Sequence, residues 1–483
     1  MVPKRECRVK IKEVPFNWIP RWGYRLDVEP FVGGSVETRV YLENAPYPKE
    51  PLHDLTAGYN GGIFNGPMFR RNYVKSPEHG VPFLTSGSML RADLSDVSLL
   101  RRKDAESPKL SYLRLTKGTT LISCSGSIGR TVYTRPDMEG MWASQDIMKV
   151  VPDPAKVPPG YLFAFLSSKF GISMVTSGTY GAIIQHIEPE HIANLPVPRL
   201  GAEKEGHVHV LMETASESLA QYQRLIDEAS FEICSERSLP FVTAAQWNAV
   251  APLDLSFSVR ASESEPLRAL NHSRRAHVIK DAIRSGPWCE LGDVIDLSWL
   301  RWRVMFKRMD CEPEHGIEVI TQRPLFHLIP EGRWISKKYL LNLSPRFVVP
   351  ERTILIAKQG TLGENELYCQ AELVFGARAI ARAYSDHCMR VVVKDGAIHP
   401  GYLFAFLGSE PGFRLLRSLS EGSKQQDLHW RTVPHIPVPR LTDRAREEGI
   451  GEKVMKAYQL RSEAVDRIIE AQETCEEAIE EVA

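Results

Sequence analysis

Nowhere in the 483 residues does an apolar run approach the roughly 20 that a membrane-crossing helix needs. The opening Met1-Val2-Pro3-Lys4-Arg5-Glu6 lacks the apolar core of a secretory signal, so the cytoplasm is the expected compartment. The eight cysteines, at 7, 124, 234, 289, 311, 369, 388 and 475, form no C-x-x-C pair. Free, buried thiols are therefore expected, with no metal site and no cofactor. There is no G-x-x-x-x-G-K-[ST] phosphate loop and no G-x-S-x-G nucleophile elbow. Net charge is missing too: 60 basic residues balance 60 acidic ones, which at first sight argues against a polyanionic partner.

The distribution of charge points the other way. Residues 201–236 hold two basic and eight acidic residues, and 441–483 hold six and twelve, so each segment is at −6. The remainder is at +12, and only these basic bodies suit a polyanion.

The chain is also one unit used twice. Gly160-Tyr161-Leu162-Phe163-Ala164-Phe165-Leu166 returns unchanged at 401–407, and Pro196-Val197-Pro198-Arg199-Leu200 returns at 437–441, both displaced by 241 residues. Pro77-Glu78-His79-Gly80-Val81 reappears, nearly unchanged, at 313–317, displaced by 236. Before it, Phe69-Arg70-Arg71 is answered by Phe306-Lys307-Arg308. Residues 25–31 and 252–257 are the expected openings of the two copies. Thr119–Ile122 and Thr353–Ile356 read as strands, and the recurring heptamer as a short buried helix. After each copy, apolar residues step by threes and fours: Val208, Leu211, Ala215, Leu219, Tyr222, Ile226, Ala229 and Ile233. Val454, Tyr458, Arg461, Val465, Ile468, Gln472, Cys475, Ile479 and Val482 repeat the pattern. That 3.5-residue period predicts two long helices pairing as an antiparallel coiled coil that holds the bodies apart.

The ordered set resembles the specificity (S) subunit of type I restriction–modification systems. The resemblance runs from about residue 25 to the end and rests on several motifs. These are the G-x-x-G turns (Gly126, Gly129; Gly360, Gly363), the heptamer helix, Gly181-x-x-x-Gln185 with Gly422-x-x-x-Gln426, the P-x-P endings, and Trp288-x-x-Leu291-Gly292-Asp293-Val294 as an opening strand. One departure is that Arg199-Leu200 and Arg440-Leu441 stand where the family usually has a Glu-Gln pair. The resemblance implies a mixed α/β (α+β) fold with two target-recognition domains. The expected layout is an arm (1–24), domain one (25–200), a spacer helix (201–236), a connector (237–251), domain two (252–441) and a second spacer helix (442–483). It implies a non-catalytic, DNA-binding subunit that reads a bipartite duplex target, one half-site per domain. Expected partners are double-stranded DNA and DNA adenine methyltransferase (modification) subunits, two of them, in a phage-defence methyltransferase complex; restriction/translocase subunits stay open. The acidic faces carrying Glu213, Glu217, Glu473, Glu476 and Glu477 are expected to be free for those subunits.

Base readers must offer donors and acceptors on a surface already placed by phosphate contacts. In copy one the candidates are Ser125, Ser127, Arg130, Tyr133 and Arg135 around the glycine turn, and Thr179, Tyr180, Gln185 and His186 in the later loop. Their counterparts are Lys358, Gln359 and Thr361, then Lys424, Gln425 and Gln426. Gln185 and Gln426 either read bases or tie their loops to backbone. Arg70, Arg71, Arg301, Arg303, Lys307, Arg308, Arg378 and Arg130 are candidates for phosphate contacts. The glycine turns answer a need for positive φ better than a phosphate cradle. Two other classes remain open: a stand-alone nuclease, suggested faintly by Pro350-Glu351 with Lys358, and a duplicated protein-binding scaffold. No Asn/Asp-Pro-Pro-Tyr of the amino-methyltransferase kind is present, and His207-x-His209 reads as a polar helix face.

Overall fold

The computed structural model describes residues 12–21, 31, 34–177, 186–250 and 268–481. Most of the expected copy openings, at 25–30 and 252–257, lie outside these residues, as does Val482. The repeat is visible from the helices Ser35–Asn44 and Arg274–Arg284 onward. Each leads into a short strand, Lys49–Pro51 or Trp288–Glu290, which pairs antiparallel with the P-x-P strand of its own copy. Of the expected opening strand at 288–294, only Trp288–Glu290 is a strand, which also closes its domain, while Leu291–Val294 turns into a helix.

Each copy has a fully buried central strand, Thr120–Ser123 or Ile354–Ala357. Antiparallel partners flank it: Thr131–Tyr133 and Ile147–Val150 in copy one, Ala371–Leu373 and Cys388–Val391 in copy two. A parallel pairing recurs as well, of Gly80–Leu84 with Trp142–Ala143 and of Gly316–Ile320 with Ala383–Tyr384. Beneath each parallel pair lies a buried cation that the sequence reading did not single out. Lys149 Nζ donates to the carbonyls of Ala143, Ser144 and Ile147. At the equivalent position Arg390 donates to those of Tyr384, Ser385 and Cys388. Both direct their buried donors to backbone carbonyls, so neither cation lies unpaired in the core.

The heptamer forms helix α1 (Pro159–Ser167) and helix α3 (Pro400–Gly408), and proline is tolerated at each first turn because its missing N–H has no intrahelical partner. Two contacts explain why the motif recurs with the P-x-P ending at a fixed distance. The Tyr161 hydroxyl donates to the Pro198 carbonyl, and Tyr402 donates to that of Pro439. Each glycine lets its helix meet a long helix closely: a Cβ at 160 would lie 2.7 Å from Met212 Cβ, and one at 401 would lie 2.3 Å from the Gly451 carbonyl oxygen.

The long helices are α2 (Ala202–Glu236) and α4 (Arg444–Glu480). Lys204 meets Glu481 at one end and Arg446 meets Glu236 at the other, so they run antiparallel, paired along the seam that the 3.5-residue period marks. Nearly all the expected seam residues are buried; Leu211 and Gln472 are half-buried. The Arg-Leu dipeptides that depart from the family pattern have a structural use. Arg199 pairs with buried Glu205 and Arg440 with buried Glu447. Leu200 and Leu441 donate their N–H groups to the same carboxylates, fastening each domain's exit to the first turn of its helix.

The copies also touch directly, a contact with no signature in the residue order. Ala92 N–H donates to the Phe326 carbonyl at 3.1 Å, and Leu328 N–H donates to that of Leu90 at 2.8 Å. With the displacement of 236, Leu90–Ala92 and Phe326–Leu328 are equivalent segments, so the bridge centred on Arg91 and His327 lies on a pseudo-two-fold axis.

Candidate nucleic-acid interface

Copy two carries the clearest basic surface. Between Leu300 and Asp310 the chain is extended, with Trp302, Val304 and Phe306 turned partly inward and Arg301, Arg303, Met305 and Lys307 outward. The inward residues explain why the row holds its shape. Trp302 and Phe306 pack edge-on against fully buried Phe347, at 4.9 and 5.3 Å between centroids. Arg301 lies over the Trp430 ring at 4.7 Å, with Arg431 on the same ring at 5.3 Å. Arg301, Arg303, Lys307 and Arg308 are exposed and enter no ion pair among the described residues. A polyanion would therefore displace no carboxylate there. Trp430 and Arg431 were missed in the sequence because their partner Arg301 lies far away along the chain.

Copy one is less basic at the equivalent place. Arg70 is exposed, but Arg71 is held by Asp146 at 2.6 Å. Burial removes some of the other expected contacts, and some of the remainder are held in ion pairs. Arg135 is 2% exposed, bonded to Asp137 and the Ala92 carbonyl, and belongs to the core. Tyr133 is buried with its hydroxyl on Glu213. Arg130 reaches Glu331 of the other copy at 2.8 Å, and Arg378 reaches Asp466 on α4 at 2.8 Å. Lys358 is buried, and that burial lowers its pKa. Gln426 is buried, bonded to Arg268 and the Ser423 carbonyl, so it ties its loop together.

What remains at the loop tips differs between copies. Ser127 is exposed, Ser125 half-buried, and Ser125 bridges to His186. Thr179, Tyr180 and Gln185 lie outside the described residues. In copy two Thr361, Lys424 and Gln425 are exposed, while Gln359 is held between Gln322 and Asp427. The glycine turns are not alike either. Gly126 and Gly129 have φ of 76° and 82°, whereas Gly360 and Gly363 are outside the left-handed region. Gly360 is required by space instead, since a Cβ there would sit 2.9 Å from Tyr368 Cβ.

The acidic helix faces are only partly free. Glu213 and Glu217 pair with Lys117, and Glu476 with Lys169, while Glu473 and Glu477 are exposed.

No family model and no curated protein matches the sequence. Among solved structures the chain is similar to the type I restriction–modification S subunit from M. genitalium, at 12% identity over 91% of this chain and 96% of that one, with a TM-score of 0.35. The HsdS subunit from Thermoanaerobacter tengcongensis gives 13% identity over 90% and 97%, with a TM-score of 0.26. The chain is similar to type I S subunits. Both overlays are loose.

Proposed function

We propose that this chain is the non-catalytic sequence-recognition subunit of a type I restriction–modification or related defence methyltransferase complex. Domain one (25–200) and domain two (252–441) would each read one half of a bipartite DNA target, with α2 and α4 as spacer and as docking surface for methyltransferase subunits. The observation that supports this most is the pseudo-two-fold relation between the copies. Antiparallel helices and the bridge between equivalent segments relate the domains as the two strands of a duplex are related, so equivalent faces meet half-sites of opposite polarity. The shared framework with different exposed tips, Ser127 against Thr361 for example, suits two readers of different sequences.

The test is selection of bound duplexes from a randomised pool by the purified chain, with and without methyltransferase subunits. Two conserved half-sites at a fixed gap are expected. Exchange of residues 84–186 for another S subunit's equivalent should alter one half only. Methyl transfer or cleavage by the chain alone would refute the non-catalytic reading, and absence of any selected sequence would refute recognition.

A further inference from the structure

Among large apolar side chains of the described residues, the two most exposed are Met68 at 87% and Met305 at 81%. They are 237 residues apart and occupy the same place in the two copies, directly before Phe69-Arg70-Arg71 and Phe306-Lys307-Arg308. A single exposed methionine needs no explanation. The same one, held out twice by the same neighbours, does. Phe69 is anchored edge-on to buried Phe83 at 6.1 Å, and Phe306 to buried Phe347 at 5.3 Å. Lys307 N–H is fixed on the Tyr339 hydroxyl at 3.0 Å. Each thioether therefore stands on a pinned, extended stretch rather than on a loose tip. Its neighbours on the same outward face are cations: Arg70 in copy one, Arg303 and Lys307 in copy two. Alternate residues of an extended chain are about 6.6 Å apart, so the flanking cations are spaced to reach separate phosphates.

We infer that Met68 and Met305 are apolar wedges, each entering a groove of its half-site and opening a base step while the flanking cations hold the phosphates. This rests on the DNA-recognition reading above. Chemically, an unbranched, polarisable side chain fits an irregular gap between bases, and apolar wedges between cationic anchors are a known way to unstack and bend a duplex. Exposing the same thioethers to water without a partner offers the chain nothing.

The experiment uses the full chain and a duplex selected by it, carrying an unstacking-sensitive fluorescent adenine analogue at successive positions of each half-site. Wild-type binding should raise emission at one step per half. Met305→Ala should abolish the rise in one half and Met68→Ala in the other, each weakening binding about tenfold. The dependence of affinity on salt should stay unchanged, because no charge is lost, whereas Lys307→Ala should lower that slope by about one. Met305→Leu should retain both signals. Normal affinity and emission in both alanine variants would overturn the wedge and leave recognition standing. So would intact DNA binding with lost capture of methyltransferase subunits, which would make the methionines a protein-docking feature. Failure of the wild-type chain to select any duplex would sink the recognition reading itself.

Discussion

Where domain two meets the paired helices, Arg461 of α4 is buried with its guanidinium 2.9 Å from Glu372 Oε1. The Tyr458 hydroxyl donates to the same oxygen at 2.6 Å, and Arg461 also reaches the His327 carbonyl at 3.2 Å. The rings of Tyr222 and Tyr458 lie 5.6 and 5.5 Å from the guanidinium carbon. Both ionic side chains are only about a tenth exposed, so removing one leaves the other desolvated and uncompensated. The loss is then set by the stranded charge, about 3–5 kcal/mol, rather than by the 0–1 kcal/mol typical of surface pairs. Glu372→Leu and Arg461→Met should each cost about that much. The double variant removes both charges and strands neutral groups only, the Tyr458 hydroxyl and the His327 carbonyl, for about 1–3 kcal/mol each. A coupling energy of about 3 kcal/mol is expected, at the upper end for residues that share one network. Urea unfolding followed by far-ultraviolet circular dichroism, run as a double-mutant cycle, measures it. Single losses that simply add in the double variant would refute the reasoning, because the stranded charge could then not be the source of the cost.

Three further predictions follow from the same contacts. Gly401→Ala should destabilise more than Gly160→Ala, because its Cβ meets the Gly451 backbone oxygen at 2.3 Å while that at 160 meets Met212 Cβ at 2.7 Å; overpacking costs of about 1–3 kcal/mol are expected in thermal unfolding. Asp96 sits at the contact between copies, accepting from Gln370 at 2.7 Å, and burial raises its carboxyl from 3.8 to about 7. Between those values the folded chain holds the extra proton, so this group's contribution to stability should fall as pH rises from about 4 to about 7 and level off above; Asp96→Asn should make that slope shallower in urea midpoints measured across pH, with buried Asp227, raised likewise to about 7, supplying what is left. Inserting four residues mid-way in both α2 and α4 adds about 6 Å and breaks the bridge at Ala92 and Leu328. The gap in the selected target should lengthen by about two base pairs of about 3.4 Å each, with both half-site sequences kept, as read by repeating the duplex selection.

Much of the architecture could be read from residue order alone. A heptamer and a P-x-P ending repeated at one displacement declare a duplicated unit, and steps of three and four declare a helix seam, because both are regularities along the chain. The buried helices α1 and α3, the central strands and the seams of α2 and α4 follow from such local patterns, whereas the antiparallel direction of that pair is seen in the end-to-end ion pairs. The candidate interface was legible only in outline. Whether an arginine is free for phosphate depends on which carboxylate the fold brings beside it, and those partners are distant: Asp146 for Arg71, Glu331 for Arg130, Asp466 for Arg378. Nothing in the sequence marks Lys149 and Arg390 as buried; only three-dimensional packing places backbone carbonyls around them. Met68 and Met305 drew no attention in the sequence, since an apolar side chain there carries no sign of which way it faces. The bridge between Leu90–Ala92 and Phe326–Leu328 is a matter of tertiary structure entirely, because backbone groups pair without regard to side-chain identity and leave no mark in the sequence.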